Sequence, residues 1–272
     1  MKNSVLVVLL LLTGFCRAQD STRYTWTKQL EVSIGENDSW SVDVLGNIYI
    51  TANRTIQKFD SLGTKKFSQS IKSLGNLESL KPINTMKLLT FSEEQQLICV
   101  LDNTLTLSEE CIDLSSFDIG NATMVAVSGQ PDKVWVVDQL NSKLILLSLG
   151  GTDQFQEIKN LQGILNISGI VAIQEVENEL FLASSEGKIY RFDLYGSLIN
   201  VHEMGVFTSF IIEGTSLVAL NEDHLILHNS EDASQLSVDL PIKGVKDIAL
   251  SGNFFYFRTD NKILKFVLSL QD

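Results

Sequence analysis

Three histidines, His202, His224 and His228, are the side chains best able to hold a metal ion or pass a proton near neutral pH. The last two stand four residues apart with Leu225-Ile226-Leu227 between them, a run that reads as strand. On a strand that spacing is about 13 Å, too wide for one metal ion, so they are expected at the surface or in turns. The chain carries no Gly-x-Ser-x-Gly elbow, no His-Glu-x-x-His pair, no phosphate-binding glycine loop and no Cys-x-x-Cys pair. Asn37, Asn53, Asn121 and Asn166 each open an Asn-x-Ser/Thr triplet, a glycan acceptor in a eukaryotic secreted protein and chance in a bacterial one. Trp26, Trp40 and Trp135 fall inside apolar stretches and read as core residues, not as a platform for sugars. No catalytic, cofactor-binding or metal-binding residue is assigned from these signals.

The N-terminus carries a different signal. Lys2 gives a positive start, Val5 to Leu12 is an unbroken apolar run, and Cys16-Arg17-Ala18 offers small residues where a signal peptidase reads. Residues 1–18 are therefore expected to be a cleaved secretory signal. The run is too short to span about 30 Å of hydrocarbon as an anchor. A lipoprotein reading would acylate Cys16, but bulky Phe15 stands where a lipobox takes a small residue. Cleavage after Ala18 removes Lys2 and Arg17 and no acid, leaving 19 Lys and Arg against 33 Asp and Glu, a net charge of −14. Nucleic acid and anionic membrane surfaces select basic patches, so neither is expected as a partner. Cys99 and Cys111 remain. The strand reading below puts them on the second and fourth strands of one sheet, about 9–10 Å apart, beyond the usual disulfide span. Two unpaired, buried thiols are expected.

The elements that would position any site are short strands. Glu179 to Gly196 reads as an apolar strand (Leu180, Phe181, Leu182), a polar turn through Gly187, a second strand (Ile189, Tyr190, Phe192) and a closing turn at Asp193 and Gly196. Versions of this unit recur. Second-strand anchors stand at Ile48, Leu97, Val134, Leu180, Leu217 and Phe254, separated by 49, 37, 46, 37 and 37 residues. Third strands follow from Ile56, Leu105, Leu144, Ile189, Leu225 and Ile263. Two residues into three of them comes Lys58, Arg191 or Lys265, followed by Phe59, Phe192 or Phe266. First strands precede the anchors, as at Trp40–Val44, Thr85–Thr90 and Ala122–Val127. The segments 72–84 and 152–168 interrupt the period, as long loops or lengthened outer strands.

About 40 residues and four strands per unit, repeated six times, predict an all-β, six-bladed β-propeller of four-stranded antiparallel blades over residues 19–272. The last unit supplies only three strands, so the N-terminal strand near Tyr24–Leu30 is expected to complete it as the outer strand. The pattern of apolar strand, turn, Ile-x-Lys/Arg-Phe-Asp and glycine resembles blades of the NHL and PQQ-like repeat families. It is clearest at Ile48–Gly63 and Lys188–Gly196, and fades at Leu97–Leu107, which has no glycine closure. Propeller enzymes and metal binders place carboxylates or Asn near the inner strands. Asp43, Glu213 and Asp247 are the acids there, at differing places relative to the blade anchors, and a structural role is expected for each. The resulting expectation is an exported, monomeric, non-catalytic propeller without cofactor that binds another envelope or extracellular protein. A lactonase-like hydrolase with an axial metal, or a small-ligand or carbohydrate sensor, is the alternative.

Overall fold

The computed structural model describes residues 24–270 apart from 53, 71–73, 109, 151–153, 215 and 230–233. The expected signal at 1–18, Cys16 included, and the triplet at Asn53 lie outside the described residues. Of the described residues, those in Asn37–Gly205 form one compact unit, and those from Val206 onward form the other together with those up to Glu36. The first strand, β1 (Tyr24–Ser33), belongs to the second unit.

The Asn37–Gly205 unit holds four four-stranded antiparallel sheets in chain order. The first is β2 (Trp40–Val42), β3 (Ile48–Ala52), β4 (Thr55–Phe59) and β5 (Lys65–Ser70). The second is β6 (Ser79–Pro82), β7 (Lys87–Ser92), β8 (Leu97–Asp102) and β9 (Ile112–Asp113). The third is β10 (Ala122–Val127), β11 (Lys133–Asp138), β12 (Lys143–Ser148) and β13 (Gln154–Ile158). The fourth is β14 (Ile170–Val176), β15 (Glu179–Ser184), β16 (Lys188–Asp193) and β17 (Leu198–Glu203). In the other unit, β18 (Ser209–Glu213), β19 (Ser216–Asn221), β20 (His224–Asn229) and β21 (Gln235–Asp239) form the fifth sheet. The sixth has β22 (Asp247–Ser251), β23 (Phe254–Arg258) and β24 (Lys262–Leu270), with β1 antiparallel to β24 as its outermost strand. The fold is an all-β, six-bladed β-propeller.

Middle strands are buried on both faces, which explains why their apolar residues do not alternate. Trp135, Val136, Val137, Leu144 and Ile145 are wholly buried on β11 and β12. Their side chains divide between two cores. Trp135 and Leu144 pack with Leu180 and Phe192 of the next blade, whereas Val136 and Ile145 pack with Phe91 and Ile98 of the previous one.

The recurrent basic residue of the third strand has a shared role. Lys58, Arg191 and Lys265 lie directly across from Tyr49, Phe181 and Tyr256 on the second strand. Each cation sits over that ring, at 5.3, 6.0 and 5.6 Å from its centroid. The ring quadrupole attracts the charge while the aliphatic stem packs in the blade. Lys265 also stands 3.8 Å over the Phe254 ring, and burial pushes its pKa down. Arg191 adds a two-pronged pair to Glu179 at 2.6 and 2.8 Å.

Aspartates close the third strands of three blades. One oxygen each of Asp60, Asp102 and Asp193 accepts from the N–H groups two and four residues on, at 2.8–3.0 Å. The bonds from Thr106 and from Ser197 hold the Asp102 and Asp193 carboxyls below the usual range. The third residue after the aspartate takes positive φ: 81° at Gly63, 89° at Gly196 and 70° at Leu105. Leu105 thus occupies the glycine position, and its side chain is wholly buried with Tyr49, Ile56, Leu80, Leu88 and Leu101.

That equivalence corrects the reading of the second blade. Leu97–Asp102 is its third strand, not its second, and Leu105 lies in the turn after it rather than opening a strand. The true inner strand, β6, lies within the segment 72–84 that reads as an interruption. Pro82 disguises it, since proline inside a run argues against a strand; here it sits on the inner edge strand of the sheet, opposite Leu88. The cysteine expectation falls with the frame. Cys99 is on β8 and Cys111 immediately precedes β9, which pairs with β8. Their Cα atoms are 4.4 Å apart and the two form a disulfide. The other interruption, 152–168, contains the outer strand β13 and most of two 3-10 turns, Leu161–Gly163 and Ile167–Gly169.

Candidate functional site

Of the acids singled out by their place near the inner strands, Asp43 and Asp247 are engaged locally. Asp43 is 2% exposed; its carboxylate accepts from the N–H groups of Leu45 and Asn47, the Asn47 carboxamide and the Tyr49 hydroxyl. Burial, with the Asp43 charge beside it, drives the Tyr49 pKa upward. In the other unit Asp247 accepts from the Ser209 hydroxyl at 2.5 Å and the Ile248 N–H at 2.9 Å. Glu213 ends β18; its surface reaches water, yet it lies deep enough among protein atoms for burial to raise its pKa. His224 and His228 both fall on strand β20, and His224 Nδ1 lies 2.8 Å from Asp239 Oδ1 on β21. His202 is on β17. Among the described residues no group of three or more His, Cys, Asp or Glu is placed to hold a metal ion. Trp135 donates its indole N–H to Glu175 at 2.6 Å, and Trp26 donates to the Asp239 carbonyl at 2.8 Å while packing edge-on against Phe255 and Phe257.

Two other places in the Asn37–Gly205 unit have no such internal use. The first is the face formed by the turns after the first and third strands of each blade. Successive blades meet there: Lys58 donates to the Asn103 carbonyl at 3.1 Å, Lys87 lies 3.2 Å from Asp132, and the Ser128 hydroxyl donates to Glu175 at 2.7 Å. Turn tips favour small polar residues, but these carry Val44, Leu45, Leu62 and Met86, which are 76%, 60%, 82% and 58% exposed. Leu107 and Tyr195 add to the same face.

The second place is a half-open pocket of about 580 Å³ on the opposite face. Asn121 ahead of β10, Gln139 and Ser142 in the β11–β12 turn, and Gln162, Asn166 and Ser168 from the 3-10 segment supply its polar lining. Leu140, Leu165 and Ile167 supply the aliphatic part. Gly120 makes room for this arrangement, because a Cβ there would stand 2.7 Å from Leu140 Cδ2. The walls are anchored from behind: Leu161, Leu165 and Ile167 belong to the core shared with Leu144 and Leu180. The Gln162 carboxamide donates to the Ser142 hydroxyl at 2.8 Å, and the Ser168 hydroxyl donates to Asn166 Oδ1 at 2.7 Å. Beneath the pocket, Asp138 is wholly buried. Burial would raise its pKa, but donors from Gly120, Asn121 and Asn141 outweigh it and hold the carboxyl below its ordinary range. The pocket has no sequence signature, because its polar residues come from three separate segments. The only hint was the broken period at 152–168. Of the Asn-x-Ser/Thr triplets, Asn37 and Asn166 are exposed and Asn121 is half-buried.

The sequence matches no protein family, and no curated protein matches it. Solved structures do resemble it. The Pan2 WD40 domain of Neurospora crassa aligns at 8% identity with a TM-score of 0.63, over 92% of this chain and 98% of that one. A chain of the mitotic checkpoint complex aligns at 8% identity with a TM-score of 0.64, over 93% and 95%. Catalytically inactive virginiamycin B lyase from Staphylococcus aureus, determined with quinupristin, aligns at 14% identity with a TM-score of 0.58, over 86% and 81%. At such identities these likenesses show the fold alone, the β-propeller.

Proposed function

We propose that this chain is an exported, non-catalytic, monomeric β-propeller with NHL- or PQQ-like blades that binds another protein in the cell envelope or outside the cell. The observation that carries this reading is the apolar turn face. Large apolar residues held at the tips of Asp- or Asn-anchored turns gain nothing for the fold in water, and several of them exposed on one face suit a protein-docking surface. The partner presents an apolar centre with a basic rim, complementary to a chain in which 33 acids outnumber 21 basic residues. Two features support the setting. The Cys99–Cys111 disulfide suits an oxidising compartment, and the apolar run of Val5 to Leu12 behind Lys2 suits export. Propellers in protein assemblies, of which the mitotic checkpoint complex is one, are a precedent at the level of fold.

Crosslinking and mass spectrometry on intact cells test the reading. The wild-type protein is expected to capture one stoichiometric partner, and the Leu45→Asp, Leu62→Asp, Met86→Asp variant to lose it with an unchanged melt. Capture of no partner, or equal capture by the variant, would overturn it. A stoichiometric metal in the purified protein would turn the reading toward an enzyme.

A further inference from the structure

We infer that the pocket built on the third blade is a second binding site, and that it takes a short, uncharged, extended peptide segment with an aliphatic side chain. This goes beyond the docking face proposed above and does not depend on it, since the pocket opens on the opposite face of the same unit.

The argument begins with unused hydrogen-bonding groups. The carboxamides of Asn121 and Gln139 are half-buried, line the pocket, and make no side-chain hydrogen bond among the described residues. Each offers one acceptor and two donors. Neither carboxamide is sealed from water, so both are open to a ligand that exchanges those water contacts for its own. A carboxamide is complementary to a peptide bond, which presents an N–H and a C=O in the same plane.

Charge narrows the ligand further. Among the described residues no ionisable side chain lines the pocket. Asp138 below it is wholly buried and committed to Gly120, Asn121 and Asn141, and Lys143 is committed to Glu157 and the Asp118 carbonyl. A charged ligand would lose its hydration without gaining a counter-charge. The apolar part of the lining is aliphatic: Leu165 and Ile167 form the wall, and Leu140 stands 71% exposed at the rim. Sugars are commonly held by stacking on aromatic rings, and among the described residues no ring lines this pocket, so an aliphatic side chain fits better than a glycan. The volume, about 580 Å³, lies within the roughly 300–1,000 Å³ of small-ligand sites. The walls are preorganised by the buried Leu161 and by the Gln162–Ser142 bond, so little ordering is needed on binding.

The test is selection of a displayed random dodecapeptide library against the folded full chain, with a panel of neutral oligosaccharides run in parallel. Enriched peptides are expected to share an uncharged consensus with an aliphatic residue and to bind at micromolar concentration. Binding should fall at least tenfold in Asn121→Leu, Gln139→Leu protein. Leu140→Arg, a change at an exposed rim position that leaves the fold intact, should weaken it likewise and provides the readout if the double variant fails to fold. The Leu45→Asp, Leu62→Asp, Met86→Asp variant should bind the same peptides as the wild type, so failure of the docking face and failure of the pocket are read separately. No enriched peptide, a charged consensus, binding indifferent to both pocket variants, or an oligosaccharide hit in place of peptides would overturn the assignment.

Discussion

Leu105 shows how one residue serves two demands at once. Its backbone has φ of 70°, a conformation that costs a residue with a Cβ about 1 kcal/mol or more. Gly63 and Gly196 occupy the same turn position in other blades without that cost. The leucine is retained in the turn because its side chain is wholly buried beside Leu80 and Leu88. The two terms can be separated. Leu105→Ala should destabilise by about 2–5 kcal/mol through lost burial and the cavity left behind. Leu105→Gly removes one carbon more, yet it should cost about 1 kcal/mol less than Leu105→Ala, because glycine adopts this backbone freely. Urea unfolding of both variants measures the difference, and a glycine variant less stable than the alanine one would refute the strain argument.

Each blade is a four-stranded sheet, and cross-strand cation–ring pairs and turn aspartates repeat in several of them, which is what made the fold legible from sequence. Ile48–Gly63 and Lys188–Gly196 show the full pattern: apolar strand, cation over ring, aspartate, glycine. The second blade was misread for two local reasons. Leu105 removed the glycine mark, and Pro82 hid the inner strand, so the frame slipped by one strand and carried the cysteines out of reach of each other. The pocket was invisible because Asn121, Gln139 and Gln162 meet only through tertiary structure. In the second blade the outer strand β9 has two residues, against six in β5 and β17. The Cys99–Cys111 bond ties the lead-in of this short strand to β8 and closes a 12-residue separation. Reduction, or Cys99→Ala with Cys111→Ala, should lower stability by about 2–3 kcal/mol. Denaturant titration with and without reductant checks this, and an equal midpoint would show that β9 holds without the link.

At the scale of the molecule, the sixth blade joins residues from the two ends of the described chain. Tyr24 lies opposite Leu270 and Ser33 opposite Lys262, with a bulge after Lys28. Trp26 contributes to this blade's core with Phe255, Phe257 and Phe266. Lys28 and Lys262 both pair with Glu31, and together they lower its pKa to about 2. Deleting residues 19–33 should therefore leave β24 as an open edge with its aromatic cluster uncovered, giving aggregation or loss of a cooperative melt. A cooperative transition at the wild-type temperature would count against a closing role for β1.

The pairing of β1 with β24 also sets a timetable. A chain emerging from a ribosome or a translocation pore delivers Tyr24–Ser33 long before Lys262–Leu270, so this sheet stays incomplete until those later residues are free. Earlier blades have every strand in hand long before that. A polypeptide cut before Lys262 would carry five finished sheets and one with a waiting edge, a defect that quality-control proteases can detect.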